Sequence, residues 1–225
     1  MNKFIISKLI LESVKYDSTI ISKLYDLSDL RLFLTCLFCR IMNLKEISNN
    51  FSVFLNNNFW NMVIEDLIAN YLKDPSICSL FGCLFKVGFK ASFLYRISIY
   101  IKNKSLEKNI LELILEKYDV EIGLGTKIGR SLVIDHTTGI VIGQQSVLGD
   151  NVVIMHNITL GAIGNRFGSN KRHPEIGSGI YLGTGSTVLG NIKVMHCSNI
   201  AAGAVVTKQV LPYNNVVGIP AKLLI

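Results

Sequence analysis

From Glu121 onward the apolar positions recur every six residues, an aliphatic side chain followed by a small or corner residue: Ile122-Gly123, Ile128-Gly129, Ile134-Asp135, Ile142-Gly143, Leu148-Gly149, Leu160-Gly161, Ile176-Gly177, Leu182-Gly183 and Ile200-Ala201. A helix repeats at 3.6 residues and a strand at 2, so a sustained period of six is neither, and fixed-period self-similarity marks a solenoid. One hexapeptide per flat face and three faces per turn would set each residue above its counterpart about 18 positions later, aliphatics inward. In the later block the inward set is Ile176, Leu182, Val188, Val194, Ile200 and Val206, and four residues on lie Ile180, Ser186, Ile192, Ser198 and Ala204, sizes that suit a narrow core. The glycine beside each aliphatic is expected at a corner, taking backbone angles that other residues avoid. The rhythm slips by two residues between Ile134 and Ile142 and breaks from Gly161 to Glu175. That second break predicts a loop extruded from the coil, carrying Asn170-Lys171-Arg172-His173-Pro174.

Upstream the pattern changes to helix-period apolar residues over 3–117, with Pro75 the only proline before the repeat. Several packed helices are predicted, with starts at Ser18, Asn58 and Asp74-Pro75, the proline just inside its helix. Residues 80–101, with Lys86, Lys90 and Arg96 interspersed, read as one amphipathic core helix rather than a membrane-surface helix. Asn103-Lys104-Ser105 reads as a turn before a last helix over 106–117. The chain therefore divides into an α-helical domain, 1–117, and a repeat domain, 118–225.

At 225 residues and 49% apolar content the chain can bury a real core. Its net charge of +7 is spread along the sequence rather than gathered into a basic tract, which with no nucleic-acid motif excludes nucleic acid as a partner. The five cysteines, Cys36, Cys39, Cys78, Cys83 and Cys197, show no paired spacing of a disulfide framework, so a reducing cytoplasm is expected. Cys36-Leu-Phe-Cys39 lies in an apolar run without a second C-x-x-C or a histidine pair and reads as core packing; no metal is expected. No segment has the roughly 18 apolar residues of a membrane span, and Met1 to Ile10 does not read as a secretion signal.

Among the polar residues that interrupt the hexad, His136 carries the strongest chemical signal. It follows Asp135 in Ile134-Asp-His-Thr-Thr-Gly139, where an acid replaces the small corner residue. Imidazole is suited to taking a proton near neutral pH, and a carboxylate, Asp135 or Glu121, would fix its tautomer. The residues alone leave this open against a surface histidine at a corner. His156 comes one coil plus the two-residue slip later, so the two histidines are expected to stack on one face in a structural role, no third metal ligand being spaced with them. His196 lies in a regular coil and has no role. His173, beside Lys171 and Arg172, lies in a loop that can reach over a neighbouring chain to bind a carboxylate or phosphate, the alternative being a solvated basic loop.

The chain resembles the serine O-acetyltransferases of the hexapeptide-repeat acyltransferase superfamily over nearly its whole length. The resemblance rests on Asp66-Leu-Ile-Ala-Asn-Tyr-Leu-Lys-Asp74-Pro75, Gly88-Phe-Lys-Ala-Ser-Phe-Leu-Tyr-Arg96, Ile134-Asp-His-Thr-Thr-Gly-Ile-Val-Ile-Gly143, Arg172-His173-Pro174 and Gly218-Ile-Pro-Ala221, in that order. It implies an α+β fold, an N-terminal helical domain followed by a left-handed parallel β-helix with one extruded loop. It implies acetyl transfer from acetyl-CoA directly to the hydroxyl of L-serine, feeding cysteine biosynthesis. His136 would be the general base with Glu121 its acidic partner. Asp74 and Asp135 would hold the serine amino group, and Arg172 and His173 would face its carboxylate and hydroxyl. Acetyl-CoA would touch Gly161, Gly183 and Ala202, with Lys222 toward its phosphates. A homotrimer, or a hexamer built from two trimers, follows from the family.

The chain departs from the family's pattern in places that bear on the acceptor. Ile122-Gly123-Leu124 stands for Ile-His-Pro, Gly143-Gln144-Gln145 for Gly-Glu-Thr, Gly161-Ala162-Ile163-Gly164 for Gly-Gly-Thr-Gly, and Lys90 for a histidine. These changes keep open an alternative acceptor, a sugar hydroxyl of a capsule or surface polysaccharide. A non-catalytic scaffold partnering an active subunit is the third reading. Ile225 follows closely on the last coil, so binding to cysteine synthase is not expected.

Overall fold

The structure, a computed structural model, describes residues 57–101, 103–164 and 171–224. The helix start at Ser18 and the Cys36 and Cys39 pair lie outside the described residues. Among the described residues four helices come first: α1 (Asn57–Lys73), the single turn α2 (Leu80–Cys83), α3 (Val87–Tyr100) and α4 (Lys104–Tyr118). Fifteen short strands follow, from β1 (Val120–Ile122) to β15 (Lys222–Leu223).

The strands form three sheets that are the faces of a prism. Face A stacks β1, β4 (Ile140–Ile142), β7 (Thr159–Gly161), β10 (Thr187–Leu189) and β13 (Val205–Val206). Face B stacks β2 (Lys127–Ile128), β5 (Val147–Leu148), β8 (Glu175–Ile176) and β11 (Lys193–Val194). Face C stacks β3 (Val133–Ile134), β6 (Val153–Ile154), β9 (Tyr181–Leu182), β12 (Asn199–Ile200) and β14 (Asn215–Val217), with β15 added antiparallel at its end. Every other pairing is parallel, and the aliphatic of each hexad is buried at its rung. The four-on positions are buried too, Ser186, Ser198 and Ala204 completely, with Ile192 half-buried.

Register locates both irregularities of the hexad. Ile134 pairs with Ile154, twenty positions on, whereas Val141 pairs with Thr159, eighteen on, so the first coil carries two extra residues between β3 and β4. Thr159 pairs with Thr187, which puts the inserted loop between β7 and β8.

The glycines beside the aliphatics do not work as expected. Gly123, Gly129, Gly143, Gly149, Gly177 and Gly183 all keep ordinary backbone angles. They are required because coils touch there: a Cβ at Gly183 would lie 2.6 Å from the amide nitrogen of Ala202, and one at Gly123 2.4 Å from that of Gln144. Left-handed backbone sits elsewhere on the corners, at Ser131, Asn151, Gly179 and Cys197 in one column and Asn157, Gly185 and Gly203 in another.

The helical region also differs from expectation. Asp74-Pro75 is a turn that ends α1, because the Asp74 side chain accepts from the Ser76 amide (2.8 Å) and hydroxyl (2.6 Å) and so closes a local ring. The single helix expected over 80–101 is broken at residues 84–86 into α2 and α3. The last helix begins two residues early, since Asn103 caps it by accepting from the amides of Ser105 and Leu106.

The first coil has no preceding coil to pair with, and the helices take that place. Tyr95 donates its hydroxyl to the Thr126 carbonyl (2.9 Å), and Arg96 donates to the carbonyls of Ile128 (2.7 Å) and Gly129. Leu132 is bound on both sides by α1, its amide donating to Asp66 (2.9 Å) and its carbonyl accepting from Asn70 (3.1 Å). Asp66 and Arg96, each 1% exposed, pair at 2.8 Å between the two helices. An open sheet edge is a template for unwanted pairing, and terminal capping is how solenoids end. Helix and coil aliphatics share one continuous buried cluster, so the cap and the prism fold around a common core.

Candidate active site

The two-residue insertion builds a protruding corner where face C passes into face A. In later coils this corner needs one left-handed residue, but in the first it uses two, His136 (φ 55°) and Gly139 (φ 71°). Histidine is among the few side chains found at positive φ with any frequency. The bulge is tied down by the Gly139 amide donating to Asp119 (2.9 Å) and by the Asn157 amide donating to the Thr138 carbonyl (2.8 Å). His136 is thereby lifted out of the wall, 71% exposed, with Nε2 3.7 Å from an Asp135 carboxylate oxygen.

His156 lies on the next coil of the same corner, its ring edge-on to that of His136 with centroids 5.6 Å apart, as the spacing predicted. Its Nδ1 is buried without a hydrogen-bond partner among the described residues. Below it on this edge come Gly183 and Ala202, and Lys222 pairs with Val217 at the edge's far end. Glu121 stands on the outer side of β1 in register with Val141 and, among the described residues, makes no hydrogen bond or ion pair with His136.

The remaining loop residues collect at the opposite edge of face A, where it passes into face B. The amide of Arg172 donates to Gln145 Oε1 (2.8 Å), and His173 Nδ1 lies 3.3 Å from the same oxygen. The His173 ring is laid against Gly143, so closely that a Cβ there would come within 2.0 Å of Cδ2. Burial, helped by the Arg172 charge, holds the His173 imidazole below its ordinary value, favouring the neutral ring. Lys171 is ion-paired to Glu175, which Lys193 also reaches at 3.3 Å. Gly161 shares this edge, its carbonyl accepting from the Gly190 amide. Gln145 is the residue that sequence reasoning missed: the loss of acid at this corner was visible, but not that an amide oxygen would organise the loop.

Asp74 joins the His136 side of the molecule through the helices. Gly88, at the start of α3, packs on the Ile134 carbonyl immediately before Asp135, and Lys86 just ahead of it pairs with Asp74 at 2.9 Å. Burial would raise the Asp74 carboxyl, but hydrogen bonds from Ser76 and Lys86 outweigh it and hold the group below its ordinary value. Asp74 therefore presents a carboxylate, 8% exposed, held by Lys86 two residues ahead of Gly88. One chain thus gathers His136, His156, Asp135, Gly183 and Ala202 on one edge of face A, and Arg172, His173 and Gly161 on the other.

Among the described residues no group of three or more His, Cys, Asp or Glu side chains is placed to hold a metal, and no helix is long and apolar enough to cross a membrane. Among the described residues Cys78, Cys83 and Cys197 are free thiols, and burial pushes that of Cys83 up to about 12.

This architecture defines a hexapeptide-repeat β-helix protein with a helical cap and a reactive corner on its first coil. No family model matches the chain. The serine acetyltransferase of Buchnera aphidicola subsp. Acyrthosiphon pisum is 39% identical over 176 residues, 76% of this chain and 64% of that protein. That of Buchnera aphidicola subsp. Schizaphis graminum is 37% identical over 186 residues, 80% of this chain and 71% of that one. The solved structure of Neisseria gonorrhoeae serine acetyltransferase in complex with serine is 31% identical with a TM-score of 0.79, covering 98% of this chain and 95% of that one. The structure of the Brucella abortus enzyme in complex with coenzyme A is 29% identical, TM-score 0.79, covering 97% and 93%. The chain belongs to the serine acetyltransferase family. It spans 64% of the first of these curated relatives and 41% of a longer Arabidopsis thaliana one.

Proposed function

We propose that this chain moves the acetyl group of acetyl-CoA to the hydroxyl of L-serine, giving O-acetylserine for cysteine biosynthesis and free CoA. The observation that carries the reading is the inserted corner that projects His136 from the first coil, with Asp135 against its ring. His136 removes the hydroxyl proton as the serine oxygen attacks the thioester carbon; the tetrahedral intermediate collapses, and the proton passes to the departing CoA sulfur. No acyl-enzyme is needed. Asp135 and Glu121 are the carboxylates assigned to support the imidazolium, Glu121 from its place on the same coil of face A.

A zwitterionic acceptor needs an anion for its ammonium and a cation for its carboxylate. Asp74, held ionised by Ser76 and Lys86, is assigned the first with Asp135, and Arg172 with His173 is assigned the second. These groups sit on opposite edges of face A, so the pocket is completed when the loop edge of one copy meets the His136 edge of another. The outer rungs of face A support such an assembly. They are Glu121, Val141, Thr159, Thr187 and Val205, mostly small and uncharged, where face B shows Lys127, Glu175 and Lys193. A homotrimer, alone or paired into a hexamer, satisfies this geometry.

Acetyl-CoA is assigned to the groove along the His136 edge, where Gly183 and Ala202 keep the wall low and Gly161 comes from the neighbouring copy. Coils are spaced by about 4.8 Å, so the five steps from β3 to β15 separate His136 from Lys222 by roughly 24 Å, a reach assigned to an extended CoA with its phosphates at the lysine. In this division residues 118–225 carry the transfer edges and the region through 117 supplies Asp74. The cytoplasm, where both substrates occur, is the assigned location.

The test is CoA release from acetyl-CoA by the purified chain, offered L-serine or a panel of sugars, sialic acids and capsule oligosaccharides. Saturable release with serine is expected. Release with a glycan alone would overturn the acceptor and leave the His136 chemistry, and no release with any acceptor would overturn the transferase reading.

A further inference from the structure

The carboxylate assigned to the acceptor's ammonium is already occupied. Asp74 Oδ1 accepts from the Ser76 amide and hydroxyl, and Oδ2 is held by Lys86 Nζ at 2.9 Å. Lys86 also donates to the Ser76 hydroxyl at 2.7 Å, so the three residues close a ring around the carboxylate. Asp74 is 8% exposed and Lys86 38%, so the carboxylate is fixed while its cation lies toward solvent on a flexible stem. Lys86 stands in the break between α2 and α3, outside the helical ladder, in extended backbone.

We propose that Lys86 is a displaceable stand-in for the acceptor's ammonium, and that an amino-acid acceptor binds by exchanging its own ammonium for that of Lys86 on Asp74. This rests on the reading above that Asp74 faces the acceptor. In the empty site Lys86 keeps Asp74 ionised and aimed, which avoids a nearly buried carboxylate without a counter-charge. On binding, the lysine swings to water and one ammonium replaces another, so charge is conserved. Neutral hydroxyl compounds cannot make the exchange, and Lys86 thereby acts as a specificity-determining residue: affinity for an amino acid is the difference between two cations competing for one carboxylate.

Two substitutions move the balance in opposite directions. Lys86→Met removes the competitor, and the serine KM is expected to fall about two- to fivefold, the worth of a partly exposed ion pair. Lys86→Arg offers a planar fork that grips the carboxylate more firmly, and the serine KM is expected to rise. A merely structural role would shift both variants in the same direction. The direct readout is the rate at which Lys86 in the unaltered full chain is reductively methylated relative to the exposed Lys108 in the same sample, a ratio that cancels consumption of the reagent by serine's own amine, followed by mass spectrometry. Saturating L-serine is expected to raise it, and 3-hydroxypropionate, which lacks the ammonium, to leave it unchanged. Equal shifts in KM for the two variants, or Lys86 labelling that serine slows or leaves alone, would overturn the displacement. Absence of serine-dependent CoA release from the unaltered chain would instead overturn the acceptor assignment, and this inference with it.

Discussion

Gly88 is where the helical cap meets the catalytic coil most tightly. A Cβ there would lie 1.9 Å from the Ile134 carbonyl oxygen and 2.8 Å from its carbonyl carbon. Those atoms belong to backbone that is hydrogen-bonded within the coil stack and cannot swing aside as a side chain would. Gly88→Ala must therefore push α3 away from the coil by about 1 Å. Overpacking of this kind costs about 1–3 kcal/mol, against roughly 0.5–1 kcal/mol regained by replacing a helical glycine. A net loss of about 1–2 kcal/mol should lower the melting temperature by roughly 2–8 °C in a chain of this size. The effect on activity should be larger, because Lys86, which holds Asp74, immediately precedes the displaced helix; a 1 Å misplacement can cost on the order of 10² in rate. Gly82→Ala is the internal control, since its Cβ would meet only Ser79 Oγ at 3.4 Å and Ile77 Cγ2 at 3.8 Å. Thermal melts and kcat/KM for L-serine on both variants decide the matter. If Gly88→Ala matched Gly82→Ala in both, the helical cap would not be positioning the acceptor site.

His136→Asn and His136→Ala should each lose about 10² to 10⁴ in kcat, the usual contribution of a general base. Only the alanine variant should also lose stability, by about 1 kcal/mol, because asparagine tolerates the left-handed backbone and alanine does not; melts and steady-state rates separate the two effects. Gly143→Ala should drive the His173 ring from its seat, raising the serine KM with little change in acetyl-CoA binding by calorimetry. On acidification stability should fall in two steps, read as melting temperature against pH. His173, held below its ordinary 6.5, binds fewer protons folded than unfolded, so stability starts to fall below about that pH, and His173→Gln should remove this step. Asp74 and Glu175, also held low, contribute stability above their ordinary values of 3.8 and 4.5 that is lost as pH falls through their folded values, and Asp74→Asn should flatten this second step.

The coil was legible because its cause is periodic: each aliphatic of the hexad occupies the prism interior, and the two breaks in rhythm fall where coil one and the loop depart from eighteen residues. The stacking of His136 on His156 followed from the same arithmetic. What the sequence hid has local or nonlocal causes that carry no period. The end of α1 was mistaken for a helix start because Pro75 suits either place, and only the Asp74 ring with Ser76 decides it. Likewise the apolar run over 80–101 gives no sign of its break, which depends on α3 being seated by Gly88 on the coil. The glycines beside the aliphatics were visible, but the reason for them was not, since contact between coils is invisible in a single rung.

The inserted corner shows why one irregularity can carry so much. In a regular hexad the residue beside the aliphatic is mostly small because the next coil lies against it, as the clashes at Gly143, Gly177 and Gly183 show, with Met155 an exception. Two additional residues make the corner of the first coil project, and there an acid and a histidine stand side by side. The first coil is also the one without a predecessor, so its outer edge is covered by helices rather than by another coil. The same position that frees His136 thus brings α1 and α3 within reach of it, through Asp66, Asn70 and Arg96 bound to coil backbone. The projecting His136 corner and the helical cap thus meet because the coil that carries the insertion is the terminal one among the described residues.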